Sequence, residues 1–428
     1  MVEILIRDES ARTGKMMWIL KDCKLAGIFS ILFTITTCAY SQTLFLFDSN
    51  ISEGYYTSNE QKEGKFGHNA MLSPSIFYKL NSKNTLFSNY TVSYEETNQV
   101  IEEEGVRWTD QVLGNTLIFG WLHNPVGHIP GGESAPARFQ NKLSLFGYYE
   151  LTKGTRDEDL NTGLYNYWDI GLKEELCYLT EFKTKPLLIT SGYKFYYRRF
   201  PNYEGLYYLI YETGPRWEKD YIGNRLWTGA ELSYSNKLYL TAQITYLFKL
   251  YTDDLVQKEP TGDSDYPYTS DKRQEHVASV DLGCNYKLLD WLSINLGLTP
   301  EFRRGNQNYY DPDRLTFIPN VYDYDLYSIS VDFILQPWQK LFCQAGYEFI
   351  YKQYTNNFAY DEVGNYTNEK LNKVDNIIKF NASYPVYKSI SIIASGFLDI
   401  STSNTKYERV YGYNYQSSNF GLGINYKF

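Results

Sequence analysis

The chain has 428 residues, 43% hydrophobic and 21% charged, which excludes both a disordered chain and a bundle of apolar membrane helices. A formal net charge of -9 and a pI near 5.2 leave no basic face for phosphate backbones, so nucleic acid is excluded as a partner. Aromatic residues make up 18%, with 43 Tyr against 24 Phe and 8 Trp; a ring with a polar tip suits a boundary between greasy and wet surroundings.

The N-terminus reads as an export signal. Lys21 and Lys24 precede an apolar run from Leu25 to Thr37, and Ala39-Tyr40-Ser41 supplies the small-x-small pattern of signal peptidase. The expected organisation is a signal peptide over residues 1–41, cleaved before Gln42, and one domain over residues 42–428. The segment before Met16 is long and mixed in charge for the start of a signal, so Met16 or Met17 are alternative starts. The run is shorter than the roughly 20 residues that span hydrocarbon, which disfavours a membrane anchor. Thr37 before Cys38 disfavours a lipoprotein. Of the five Cys, Cys23 and Cys38 leave with the signal. Cys177, Cys284 and Cys343 are too few and too widely spaced for a disulfide framework or a metal cluster.

Beyond the signal, apolar and polar residues alternate with a period of two, the signature of strands. Leu238, Leu240, Ala242, Ile244, Tyr246 and Phe248 share one face, and Tyr239, Thr241, Gln243, Thr245 and Lys249 the other; Leu247 is the exception. Leu292 to Leu298 and Ile390 to Ile400 repeat the pattern. In chain order the strands fall near 43–50, 70–80, 84–97, 107–122, 139–151, 166–180, 186–200 and 224–234. The second half adds 237–251, 276–288, 291–304, 322–335, 339–354, 371–384, 388–402 and 415–428. The total is about 16, within a range of 14 to 18, and an even count suits a single-chain barrel.

Two kinds of connection alternate. Short ones lie at 81–83, 180–185, 235–236, 289–290, 336–338 and 385–387. Long polar ones lie at 51–69, 97–105, 153–165, 201–223, 252–275, 305–320, 355–370 and 403–414. Short turns on one rim and long loops on the other describe an all-β, transmembrane, antiparallel up-and-down barrel, its short turns in the periplasm. Hydrocarbon offers backbone groups no partners, so only a closed sheet spans it with strands. One connection breaks the rule. His123 to Gln140 is long and rich in Gly and Pro where a short turn is expected, and reads as a long turn, with an inward-folding loop as the alternative. Leu206 to Glu212, inside a nominal outer loop, reads as a strand extension beyond the membrane.

The last strand alternates to the end. Phe420, Leu422, Ile424, Tyr426 and Phe428 share a face, and this terminal aromatic pattern resembles the signal read by the barrel assembly machinery. Tyr193, Phe195 and Tyr197, with Tyr347, Phe349 and Tyr351, read as girdle residues at the headgroup level.

The start of the domain carries a resemblance. Phe47-Asp48-Ser49-Asn50, followed by Ser73-Pro74 and a tight Asn-Ser-rich turn, resembles the β-barrel porin 2 group of outer-membrane proteins. After these residues the likeness is diffuse, a succession of strand-turn-strand units. The resemblance implies a cell outer-membrane barrel, associated with export of surface polysaccharide. Its expected surroundings are outer-membrane lipid and lipopolysaccharide.

Covalent chemistry finds little support. The four His (His68, His123, His128, His276) fit no metal-ligand spacing, and only His68 and His276 fall near the outer rim, where a barrel hydrolase would place one. The run from Asp157 to Asn161 resembles the opening of a calcium loop, yet Thr162 stands where the turn Gly belongs and Trp168 where the bidentate Glu belongs. Acidic loops such as 102–104 and 263–265 read as solvated charge. No cofactor or metal is expected.

The functional surface is expected to be the lumen. Alternation turns Lys194, Arg198, Glu231, Lys249, Asp281, Lys287, Glu301, Arg303, Asp332, Glu348, Lys379 and Asp399 inward as pore-lining charges, with Tyr196, Trp227 and Tyr239 interleaved where sugar rings stack. The expected function is a passive, porin-like conduit for polysaccharide or small polar solutes. A structural or adhesive barrel and an outer-membrane hydrolase are the alternatives. A TonB-dependent receptor needs a larger barrel and a plug than this length allows.

Overall fold

The computed structural model describes residues 43–58, 61–97, 102–103, 106–125, 138–155, 159–212, 214–259, 267–311, 314–338, 340–387, 389–407 and 414–427. The expected signal segment, Phe428, the middle of the 123–140 connection and the acidic pairs at 157–158 and 263–265 lie outside them.

Sixteen strands follow one another round a ring. They are β1 (Thr43–Ser58), β2 (Gln61–Lys79), β3 (Asn84–Thr97), β4 (Val106–His123), β5 (Arg138–Thr155), β6 (Tyr167–Phe182), β7 (Lys185–Arg199) and β8 (Tyr221–Ser233). The other half comprises β9 (Leu238–Gln257), β10 (Tyr268–Leu289), β11 (Leu292–Gly305), β12 (Tyr324–Trp338), β13 (Leu341–Tyr360), β14 (Tyr366–Tyr387), β15 (Ile390–Ser403) and β16 (Tyr415–Lys427). Each pairs antiparallel with its sequence neighbours, and β1 pairs with β16 from Asp48↔Lys427 to Ser58↔Ser417, which closes the cylinder. A two-residue spur, Glu102–Glu103, adds the seventeenth strand of the sheet without joining the ring.

The seam collects the residues of the opening motif. Asp48 faces Ser73 on β2, accepts a hydrogen bond from Asn425 Nδ2 at 3.0 Å and lies 3.5 Å from Lys427 Nζ, so one side chain ties the first strand to the last. Pro74 has no N–H to give to a ladder. The Asn89 amide of β3 spans the gap, donating to Ser75 Oγ at 2.7 Å and Ser73 Oγ at 3.1 Å.

Residues opposite each other in register share a face, and the two faces differ in kind. Leu145 (62% exposed), Ile244 (56%), Ile378 (53%) and Leu422 (55%) stand on the outside with many others, whereas few large apolar residues, Ile318 and Leu371 among them, are buried among the described residues. A soluble fold with so much apolar surface in water would aggregate, so this exterior belongs in hydrocarbon.

Several expected loops are strands. The connection placed at 51–69 is a hairpin in which β1 runs to Ser58 and β2 starts at Gln61. Likewise β9 reaches Gln257 before β10 begins at Tyr268, and β13 reaches Tyr360 before β14 begins at Tyr366. Above the bilayer the outer face no longer needs apolar residues, so the period-two signal stops while the backbone ladder continues. The expected strand extension at 206–212 is instead a short helix, Leu206–Tyr211. Leu209 N donates to Gly205 O and Glu212 N to Tyr208 O, and Glu212 at φ 52° ends it. Its backbone groups satisfy each other locally, and Gly205 N donates to Arg216 O at 2.8 Å to close the loop.

The long-loop rim is packed. A hairpin formed by Tyr309–Asp311 and Thr316–Ile318 lies against the β13–β14 turn. There Arg314 Nη1 reaches Asp311 Oδ2 at 2.9 Å and its Nε donates to Gly364 O, while Tyr366 OH donates to Asp311 Oδ2 at 3.1 Å.

Candidate functional site: the lumen

All twelve charged residues expected to point inward lie on the face opposite the apolar exterior, and so do Tyr196, Trp227 and Tyr239. The register decides this: Phe195, Leu226, Ile244, Leu282, Phe302, Tyr347 and Ile378 stand exposed outside, and their sequence neighbours alternate to the inside. Leu247 is resolved by the same register. It pairs with Arg225 and packs on an inner cluster of Tyr196, Tyr221 and Tyr251.

The inward charges fall into groups. Near the long-loop rim Glu275 is 2% exposed and gathers three cations: Lys249 Nζ at 3.3 Å, Arg303 Nη2 at 2.7 Å, and Arg273. Tyr251 OH donates to it at 2.8 Å, and Arg273 also reaches Asp254 at 3.1 Å. Lower in the ring, Lys379 Nζ lies 3.5 Å from Glu348, which accepts from Ser328 Oγ at 2.8 Å. Thr299 donates to Asp281 at 2.8 Å, Tyr324 to Glu301 at 2.7 Å, and Tyr415 to Asp399 at 3.0 Å. Tyr239 donates to Glu231, and Lys287 pairs with Asp290 at the short-turn rim. Asp332 lies beside Gly346, directly opposite it in register.

One recess of about 560 Å³ opens on the inner wall between β4 and β9. It holds Lys194 and Arg198 from the expected set, together with Asp169, Lys173, Glu175 and Arg225, which the sequence reading missed. Arg198 forks onto Asp169, with Nε to Oδ1 at 2.7 Å and Nη2 to Oδ2 at 2.8 Å. Glu175 takes Lys173 at 2.9 Å and Lys142 at 3.6 Å. A smaller recess lies below it against Glu231, Thr241 and Asp281.

The aromatic residues expected to form the girdle face outward. Tyr193 OH donates to Asn224 Oδ1 at 2.6 Å, Tyr197 OH to Asp220 Oδ2 at 3.1 Å, and Tyr347 OH to Asn376 Oδ1 at 2.7 Å. His276 also points outward, with Nδ1 at 2.6 Å from Tyr246 OH and its ring 4.9 Å from Phe248. His68 stands opposite Glu53. These two His lie on β2 and β10, eight strands apart in a ring of sixteen, which puts them on opposite sides of the barrel.

A closed cylinder with a greasy outer wall and a charged, hydrogen-bonded inner wall is a membrane-spanning β-barrel. No family model and no curated protein matches the chain. Solved structures with a similar outline include outer-membrane expressed OmpT of Vibrio cholerae (13% identity, 90% of this chain and 97% of that one, TM-score 0.43). Others are the Pseudomonas putida toluene transporter TodX (10%, 92% and 90%, 0.35) and a bacterial polysaccharide outer membrane secretin (9%, 89% and 98%, 0.40).

Proposed function

We propose that the chain is an outer-membrane barrel acting as a passive conduit for polar solutes, without covalent chemistry. The observation that carries this is the inner wall: charged residues of both signs line a ring of sixteen strands. Barrels of about 16 strands are wide enough for an aqueous channel. Paired charges on the wall keep it wet without giving it a large net field. Export of surface polysaccharide is the cargo reading favoured by the opening motif, whose Asp48, Ser73 and Pro74 build the seam. In this reading the last strand, with Phe420, Leu422, Ile424, Tyr426 and Phe428, is the segment the assembly machinery engages. Outer-membrane lipid and lipopolysaccharide surround the belt.

The test is conductance of the purified barrel in a planar lipid bilayer, with liposome swelling in neutral sugars beside it. Stable ohmic steps and swelling are expected. A folded barrel that inserts but neither conducts nor admits sugars would make the structural or adhesive reading the better one.

A further inference from the structure

Three basic side chains stand directly opposite one another on three consecutive strands. Lys173 on β6 pairs in register with Lys194 on β7, and Lys194 pairs with Arg225 on β8, all facing the recess. Like charges in directly opposed sheet positions repel. Both carboxylates of the recess are already engaged, Asp169 by Arg198 and Glu175 by Lys173 and Lys142. Lys194 and Arg225 have no carboxylate within ion-pair distance among the described residues. The two adjacent charges therefore face the recess without an ion-pair partner.

The wall beside them is flat and aromatic. The Trp227 indole covers Gly192, the Tyr196 ring covers Gly223, and Phe146 covers Gly171, where an added Cβ would lie 2.7 Å from the ring. A side chain at Gly192 or Gly223 would collide with the ring beside it, and one at Gly171 with the Phe195 carbonyl as well as with Phe146. Lys194 Nζ sits over Phe146, 4.3 Å from its centre, and 4.8 Å from that of Tyr196, and Lys173 Nζ lies 5.3 Å from the centre of Trp227, so basic groups and rings alternate along the wall. Thr116, Ser144 and Gln243 supply hydroxyl and amide groups around the same space.

We propose that this recess is a binding subsite for an acidic sugar, its carboxylate between Lys194 and Arg225 and its ring against Trp227. A carboxylate there relieves the repulsion of the row, aromatic faces suit the C–H faces of a pyranose, and the polar rim suits its hydroxyls. The volume lies in the range of ordinary small-ligand sites, roughly 300–1,000 Å³. The proposal deepens the conduit reading by giving it a cargo class, an acidic glycan.

The experiment is calorimetric titration of the folded, detergent-solubilised full barrel with trigalacturonate, maltotriose and benzoate, at low and high KCl. Trigalacturonate is expected to bind, to weaken as KCl rises, and to lose about tenfold or more in affinity in Lys194→Gln and in Arg225→Gln. Lys194→Arg is expected to restore most of it, and maltotriose to bind far more weakly. Heat-modifiable mobility on gels confirms that each variant is folded, and the salt dependence of the unmodified barrel tests the site without any variant. Absent binding, or binding unchanged by salt and by both substitutions, overturns the subsite. Benzoate binding as tightly as trigalacturonate overturns the assignment to a sugar. Because binding is read without current, a barrel that conducts but binds no trigalacturonate refutes the subsite alone. One that binds but does not conduct refutes the conduit alone.

Discussion

Replacing Glu275 by Gln keeps the shape of the rim cluster and removes the charge at its centre. Lys249 and Arg303 then have no carboxylate partner among the described residues, while Arg273 keeps Asp254 at 3.1 Å. Glu275 is 2% exposed, while the side chains of Arg273, Lys249 and Arg303 are 13%, 22% and 24% exposed, so solvent screens the cluster only in part. At an effective dielectric of 20, each charge pair about 4 Å apart carries about 4 kcal/mol, part of which only offsets the desolvation of the ions. Removing one member of such a buried group costs about 3–5 kcal/mol in comparable settings. Urea unfolding of the barrel in phospholipid vesicles, followed by Trp fluorescence, would show a lower midpoint for Glu275→Gln at an unchanged slope. The double variant Glu275→Gln with Arg303→Met should recover part of the loss, because one stranded cation goes with it. A loss below about 1 kcal/mol, the level of exposed pairs, would refute the view that this cluster is buried and mutually dependent.

Gly192→Val should push the Trp227 indole off the wall, costing about 1–3 kcal/mol by overpacking and lowering single-channel conductance as the ring enters the lumen; unchanged conductance and stability would contradict that packing. Gly364, at φ +87° in the turn where Asp361 Oδ1 accepts from the N–H groups of Val363 and Asn365, should not tolerate a β-branched residue. Gly364→Val is expected to cost about 1–2 kcal/mol and to loosen the Arg314 contact, read as faster hydrogen exchange over 309–318. In the loop between β7 and β8, burial, reinforced by the nearby Asp254 charge, raises the Glu218 carboxyl from its ordinary 4.5 to about 7. A raised acid favours the folded loop while protonated, so this contribution is complete below pH 4.5 and is lost as pH rises through 7. Hydrogen exchange over 200–220, corrected for intrinsic rates, should therefore quicken between about pH 4.5 and 7 and level off above, and Glu218→Gln should abolish the change.

What was legible in the sequence follows the bilayer. Within hydrocarbon the outer face must be apolar and the inner face polar, so period two located the barrel strands and set Lys194, Glu231, Asp281 and Lys379 on the face opposite Phe195, Leu226, Leu282 and Ile378. Above the bilayer that demand lapses, which is why the continuations to Ser58, Gln257 and Tyr360 read as loops. The short helix at 206–211 left no periodic trace because one and a half turns give too few repeats. Lys173 and Glu175 were missed for a different reason. Glu174, between them, is on the outer face and accepts from Asn141 at 3.2 Å, so both faces of β6 look charged and its parity is obscured. Arg225 shares its face with Trp227, already read as inward, and alternation carried two residues back would have found it. The row from Lys173 to Arg225 depends on cross-strand register, which turn geometry sets and a single strand does not reveal.

The central claim is that one wall of each strand touches lipid and the other touches water. Single cysteines along β9, in a background with Cys177, Cys284 and Cys343 replaced by Ser, test it in reconstituted vesicles. A membrane-impermeant maleimide small enough for the lumen should label Thr241→Cys and Gln243→Cys and spare Ala242→Cys and Ile244→Cys, which a lipid-soluble reagent should label instead. Equal labelling of all four positions by the water-soluble reagent, or none at 241 and 243, would contradict the account.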